Sequence, residues 1–368
     1  MSRRAASARA LVALLAAGLV TTVSAVPAGA QGAGRAIIGA PTVTSYEITA
    51  GDATRTISQT TMPIVVLLPF SPRFGMDLST SFATSGVSVG GVTTSRISGL
   101  TDTQLRGNLS VGDNLLVTLG LNLPTGQYLI PADQQEAAGQ IGNDFLNYAV
   151  SSMGNGLAVT GGLAYARPLG DWNLGVGGSV RRSTEFAAFE VEDVEYRFTP
   201  ADEMRLRVGV DRPVGDGQLD LSVSYSSFGD DIADSTSVST GDRITVASGL
   251  AIPVRGVDVF VSAWNLFRLS GEQVGGPAPR ENVFNLTTGV SVNWGSTLLQ
   301  PNVETRLWTS EGIRAGNLVS VGVRARFGFG ALAVYPSVGV STGTLFDLTD
   351  GSESSLSGFR GSLTVRWN

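Results

Sequence analysis

Two stretches, Gly86-Val87-Ser88-Val89-Gly90 and Gly339-Val340-Ser341-Thr342-Gly343, match the G-x-S-x-G pattern in which a strained turn presents a serine nucleophile. That chemistry needs a strand-to-helix elbow and a histidine to take the proton, and the chain has no His. It has no Cys either, which removes thiolate nucleophiles, thiolate metal sites and disulfides together. General acid–base work would fall to carboxylates, and no close Asp/Glu pair is marked out by spacing. Asp230, Asp231 and Asp234, and again Asp347, Asp350 and Glu353, supply the hard oxygens that suit Ca²⁺ or Mg²⁺. Neither group has EF-hand spacing, and both read as solvated loops. The residues point away from an enzyme and call for no cofactor or metal.

The informative charges are arginines. All 25 basic residues are Arg. Arg106, Arg205, Arg207, Arg243, Arg306, Arg324, Arg326, Arg360 and Arg366 fall on the polar face of segments whose other face is apolar, with Glu203, Asp220, Asp258 and Glu304 among them. A charge on a lipid-facing side would cost roughly 2–4 kcal/mol at mid-membrane, so these side chains are expected to point inward. There they can set a field across a water-filled lumen and select solutes by charge, or pair with one another to fill the lumen and brace its wall.

The elements that must position them are strands. From about residue 42 onward, segments of alternating polarity recur between turn residues, the signature of a transmembrane barrel. In 318–329, Val319, Val321, Val323, Ala325, Phe327 and Phe329 oppose Ser320, Gly322, Arg324, Arg326 and Gly328. In the last segment Phe359, Gly361, Leu363, Val365 and Trp367 oppose Arg360, Ser362, Thr364, Arg366 and Asn368. Soluble sandwiches also alternate, so loop lengths decide. Short connectors at 69–73, 112–114, 169–171, 214–218, 253–256, 295–296 and 328–330 alternate with longer stretches at 86–100, 124–155, 185–202, 229–240, 268–281, 309–316 and 347–356. This predicts an all-β, antiparallel up-and-down barrel with tight periplasmic turns and long external loops. It would have about sixteen strands, or fourteen if the 42–50 segment and one other lie outside the wall. Trp172, Trp294, Trp367, Tyr165, Tyr335 and Phe70 lie near predicted strand ends, where an interfacial girdle would place them.

Bulk properties agree. The 368-residue chain is 42% hydrophobic, only 15% charged and rich in glycine, and outside its N-terminus no apolar run reaches the ~20 residues of a membrane helix. Arg3, Arg4 and Arg9, the apolar run 11–23 and Ala28-Gly29-Ala30 read as a secretory signal over residues 1–30, leaving a single barrel domain, 31–368. Cleavage would remove three Arg and no acid, taking the net charge from −6 to −9, with no basic excess for nucleic acid.

Residues 117–128, Val-Thr-Leu-Gly-Leu-Asn-Leu-Pro-Thr-Gly-Gln-Tyr, resemble the strand-end signature of outer-membrane proteins grouped with the MetA pathway of phenol degradation. Gly99-Leu-Thr-Asp-Thr-Gln-Leu105 and the Gly-Asp-Trp hairpin at 170–172 are similar in style. The resemblance implies a barrel for uptake of small, often hydrophobic, compounds, distantly like the fatty-acid and aromatic-hydrocarbon channels. It lacks the Asn-Pro-Ala hatch motif of the fatty-acid channels. Outer-membrane barrel enzymes, as families, rely on a His that this chain does not have.

The expectation is therefore an outer-membrane pore for passive passage of small solutes, in contact with lipid, lipopolysaccharide and, during biogenesis, the barrel-assembly machinery. The alternative is a structural or surface-interaction barrel with a filled lumen and partner-binding loops. The two differ in whether a water-wide path runs past Arg324, Arg326 and Arg366.

Overall fold

The computed structural model describes residues 35–367 apart from 193, 235, 296 and 331, and the side chains of Arg35, Arg366 and Trp367 are outside that description. The signal-peptide segment also lies outside it. Sixteen antiparallel strands form one closed wall. We number them β1 (Arg35–Ile38 continuing as Thr42–Ala50), β2 (Ala53–Pro69), β3 (Phe74–Val89), β4 (Val92–Leu100 continuing as Thr103–Val111), β5 (Leu115–Leu123), β6 (Ala158–Leu169), β7 (Trp172–Ser183) and β8 (Glu203–Val214). The ring continues through β9 (Gly217–Phe228), β10 (Arg243–Val254), β11 (Val257–Arg268), β12 (Glu281–Trp294), β13 (Thr297–Ser310), β14 (Ile313–Phe329), β15 (Leu332–Phe346) and β16 (Glu353–Trp367). Each pairs with its sequence neighbours, and β16 closes on β1 with Arg360 opposite Thr44 and Leu356 opposite Ile48. Closure leaves no sheet edge, which is how a sheet satisfies its backbone in hydrocarbon.

Period-2 geometry sorts the side chains. Leu119, Leu163, Val180, Leu206, Val223, Val321 and Val340 are exposed on the outer face and form an apolar belt. Register confirms the shared face across neighbouring strands: Val208 stands opposite Val223, and Val321 opposite Val340. Phe70 and Phe74 stack at 5.5 Å beside the β2–β3 turn, and Trp294 stands 77% exposed at the end of β12, which places a girdle at the tight-turn end. Tyr335 departs from that expectation. Ser337, two residues on and on the same face, stands opposite Arg324, which puts Tyr335 on the inner face, with the Arg324 and Arg326 guanidinium groups over its ring.

Two stretches expected as long loops are strands. Residues 86–100 run through the end of β3 and the start of β4 with a turn only at Gly90-Gly91, and 309–316 turns at Glu311-Gly312, both residues with φ near +49° and +79° as a tight hairpin turn needs. Near the loop end, the pattern is inverted. Tyr46, Ile57, Val87, Ile97, Leu318 and Leu356 are buried on the inner face, while Thr56, Ser58, Thr84 and Ser98 occupy the outer one. The sorting of short turns to one end still holds. The opposite end mixes long loops with tight turns at Gly51-Asp52, Gly90-Gly91 and Glu311-Gly312.

The inner apolar surface exists because something packs on it. The 34-residue connection between β5 and β6, residues 124–157, folds into the barrel and carries a short helix, α1 (Gln135–Ile141). Its Ile141, Phe145, Leu146, Tyr148, Val150 and Met153 form one buried cluster with the inner residues of the wall. The loops after β7 and β9 add Phe186–Val191, Val194–Thr199, Asp231–Ala233 and Thr236–Val238 to Ile130–Pro131 of this connection as a small separate sheet.

Candidate functional site: a lumen narrowed by the inward loop

The inward loop is tied at both ends by one carboxylate. Asp102, at the break in β4, accepts the Gly126 N–H at 3.1 Å as the loop begins and the Asn155 N–H at 2.6 Å as it returns, and also receives Asn122 Nδ2 at 2.7 Å. Glycine is required at 126, where a Cβ would fall 2.0 Å from the Met153 carbonyl. Asp102, Asn122 and Gly126 lie in the two stretches that carry the sequence resemblance. In this structure those stretches form the latch of the loop.

Along its length the loop is held to one side of the wall. Gln59 on β2 pairs with both backbone groups of Val150, donating to its carbonyl at 2.7 Å and accepting its N–H at 2.9 Å. The Tyr148 hydroxyl donates to the Ile57 carbonyl at 3.0 Å, Ser95 Oγ donates to the Asp133 carbonyl at 2.7 Å, and Arg55 meets Glu136 at 2.7 Å. On the far side of the same cluster Phe145 stacks on Trp308 at 5.6 Å, and Arg306, 1% exposed, donates to the Phe145 carbonyl and to Glu304. Arg360 reaches toward the Asn147 carbonyl at 3.4 Å. The loop thus leans on β1–β4 and β12–β16.

The inner face of β8 and β9 is left uncovered. Arg205, Arg207 and Asp220 are exposed there, at inner-face register positions where β1–β4 present buried Tyr46, Ile57 and Val87. Above them one rung of directly opposed residues runs Arg205, Ser226, Arg243, Arg268 and Glu281 across β8 to β12. Three of the five are cations. The inward loop contains Asp133, Glu136 and Asp144 and no basic residue, with Glu136 paired to Arg55 on β2. Nearer the tight turns the signs are distributed differently: Asp211 opposes Asp220 across β8–β9, whereas Arg324 and Arg326 lie on β14.

The arginines and Glu304 expected on the inner face all share its register, except that the Arg366 side chain is not described. They divide into two groups. Arg106 forks onto Asp77 at 3.0–3.2 Å, Arg205 meets Glu203 at 2.6 Å, and Arg306 meets Glu304. By contrast Arg207 bonds to Ser222 and Arg243 lies over the Phe228 ring at 5.5 Å, and among the described residues neither these two nor Arg324 and Arg326 form an ion pair with a carboxylate. Ion-paired arginines and arginines without a carboxylate partner among the described residues therefore both occur on the inner face. The notable miss of the sequence reading is Asp102, Gln59 and the loop they hold. The buried polarity of Gln59 in an otherwise Ser/Thr-rich strand was its one signal.

Neither G-x-S-x-G stretch is an elbow. One ends β3 and the other lies inside β15. The acidic loop groups serve the loops themselves: Asp231 accepts the Ala201 N–H at 2.8 Å, Asp234 the Arg197 N–H at 2.9 Å, and Asp347 and Asp350 the N–H groups of Thr349 and Ser352. Burial pushes the Asp231 carboxyl up, against the lowering effect of that hydrogen bond. Asp242 is held below the usual range, first by the Tyr225 hydroxyl.

No protein-family model matches the chain, and comparison with curated proteins returns no match. Among solved structures the chain is similar to an outer-membrane protein, OmpT, of Vibrio cholerae (10% identity, 91% of this chain and 99% of that one, TM-score 0.43). It is similar also to an anion-selective porin from Comamonas acidovorans (14%, 90% and 100%, TM-score 0.43) and to a bacterial polysaccharide outer-membrane secretin (9%, 89% and 98%, TM-score 0.46).

Proposed function

We propose that this protein is an outer-membrane pore through which small solutes diffuse, with the inward loop setting the width and charge of the passage. The observation that carries this reading is the one-sided seating of the loop. It covers the loop-end part of β1–β4 and β12–β16 and leaves charged side chains of β8 and β9 facing solvent. An acidic loop and a basic rung together orient a dipolar or charged solute in a narrow, low-dielectric passage, where such fields act strongly. The residue pattern of 1–30 supports export by a cleaved signal, and the apolar belt supports insertion in the outer membrane. The MetA-like stretch favours small, hydrophobic or aromatic solutes.

A filled barrel that meets partners through its loops is the second reading, favoured by the tight packing of the loop against half the wall. Single-channel recording of refolded protein in a planar bilayer separates the two. Discrete conductance steps are expected, and silence across salts and solutes would remove the pore reading.

A further inference from the structure

We propose that Arg324, Arg326 and Tyr335 form a binding site for a small organic dianion, a short dicarboxylate, near the tight-turn end of the lumen. This rests on the reading that the inner face of β14 and β15 borders the aqueous passage.

Arg324 and Arg326 are alternate residues of one strand, so their side chains share a face and leave it about 7 Å apart. Both are exposed, and both guanidinium groups approach the Tyr335 ring, at 5.8 and 5.9 Å from its centroid. Opposite them across the two flanking strands stand Gln300, Leu298 and Ser337, none of which carries charge. At several other inner positions a cation meets an acid, as at Arg106–Asp77 and Arg306–Glu304. These two have no such partner among the described residues.

A ring contact holds a guanidinium by its face and leaves the N–H edge free. That edge is the part that grips a carboxylate through two parallel hydrogen bonds. Two such edges on one face, both held near one ring, match a ligand carrying one carboxylate at each end. A monocarboxylate engages one fork and leaves the other cation uncompensated. The site therefore discriminates by the number of carboxylates as well as by charge.

Isothermal titration of the refolded protein in detergent, with sodium succinate and sodium acetate at matched ionic strength, tests this. Succinate should bind about tenfold more tightly than acetate, and R324S or R326S should each abolish the difference while heat-modifiable migration shows an intact barrel. If a Ser variant does not refold, R324K/R326K serves instead. It keeps both charges but loses the forks, and should weaken succinate several-fold. Equal affinity for succinate and acetate, or a preference that survives the variants, would overturn the site. Inorganic phosphate binding as tightly as succinate would overturn the dicarboxylate assignment. Because no current is measured, a silent bilayer would count against the pore alone, and equal affinities against this site alone.

Discussion

Asp102 and Asn155 are 53 residues apart, and the Asp102 carboxylate accepts the Asn155 backbone N–H at 2.6 Å while its other oxygen holds Gly126. One side chain, 8% exposed, thereby closes the base of a loop that crosses the barrel interior. Hydrogen bonds to a buried charge are worth roughly 1.5–3 kcal/mol each. Replacing Asp102 with Ala should cost about 2–4 kcal/mol of stability and free the loop. The loop has no basic residue, so chymotrypsin, which can cut at Phe145 and Tyr148, is the suitable probe. Cleavage there should quicken at least several-fold in D102A, and unchanged protection would show that the other contacts suffice to hold the loop.

Arg306 should behave as half of a buried pair. Removing it alone leaves the Glu304 charge without its cation, held only by the Asn285 amide, and takes the donor from the Phe145 carbonyl, so R306A is expected to lower stability by about 3–5 kcal/mol. Removing both charges with E304Q/R306M should cost much less, because no uncompensated charge remains. Thermal unfolding of the two variants gives the comparison. Equal losses would mean that the pair contributes packing rather than charge.

The division of the inner arginines predicts different electrical phenotypes. R207S removes an unpaired lumen cation and should move the reversal potential toward cation preference in a salt gradient. D77N/R106Q removes a pair of opposite sign and should leave the potential unchanged. Its stability cost should be about 1 kcal/mol or less, since the Arg106 side chain is 54% exposed. A shift of similar size in both would assign the field to total lumen content rather than to the unpaired residues.

At the loop end, Glu311 accepts the Arg280 N–H at 2.6 Å and its guanidinium at 3.1 Å. Those contacts, the backbone one first, hold the Glu311 carboxyl below the usual glutamate range. Because the folded-state value is depressed, the contact contributes fully above the ordinary glutamate pKa and is lost as pH falls through the depressed value. Chemical-shift titration of the Arg280 amide should show its transition below about pH 4.3, the free glutamate value. E311Q should flatten it. A transition at the ordinary value would show that the contact does not form in solution.

Alternation along single strands was enough to show which residues share a face, because successive side chains of a strand must point opposite ways. Glycine-bearing turns then located most hairpins, and closure followed from the need to leave no backbone unpaired in lipid. Hence the barrel and its strand count were legible. The segments around Gly90 and Glu311 were not. Their outer faces are Ser/Thr-rich and their inner apolar residues make sense only against the loop they cover.

Neighbour relations required the tertiary structure. Period-2 patterning puts Arg306 on the same face as Glu304, two residues away on one strand, but only the tertiary structure brings Arg306 to the Phe145 carbonyl and Arg324 beside Tyr335. Tyr335 itself looked like a girdle residue, since a strand-end aromatic satisfies either face until pairing fixes its parity. The destination of residues 124–157 was least accessible of all. A polar, helix-bearing connection can stand in solvent or turn inward, and the choice here rests on contacts between residues distant in the chain, such as Gln59 with Val150 and Phe145 with Trp308. Local propensity carries no information about such pairs, because their free energy appears only once the wall has closed around them.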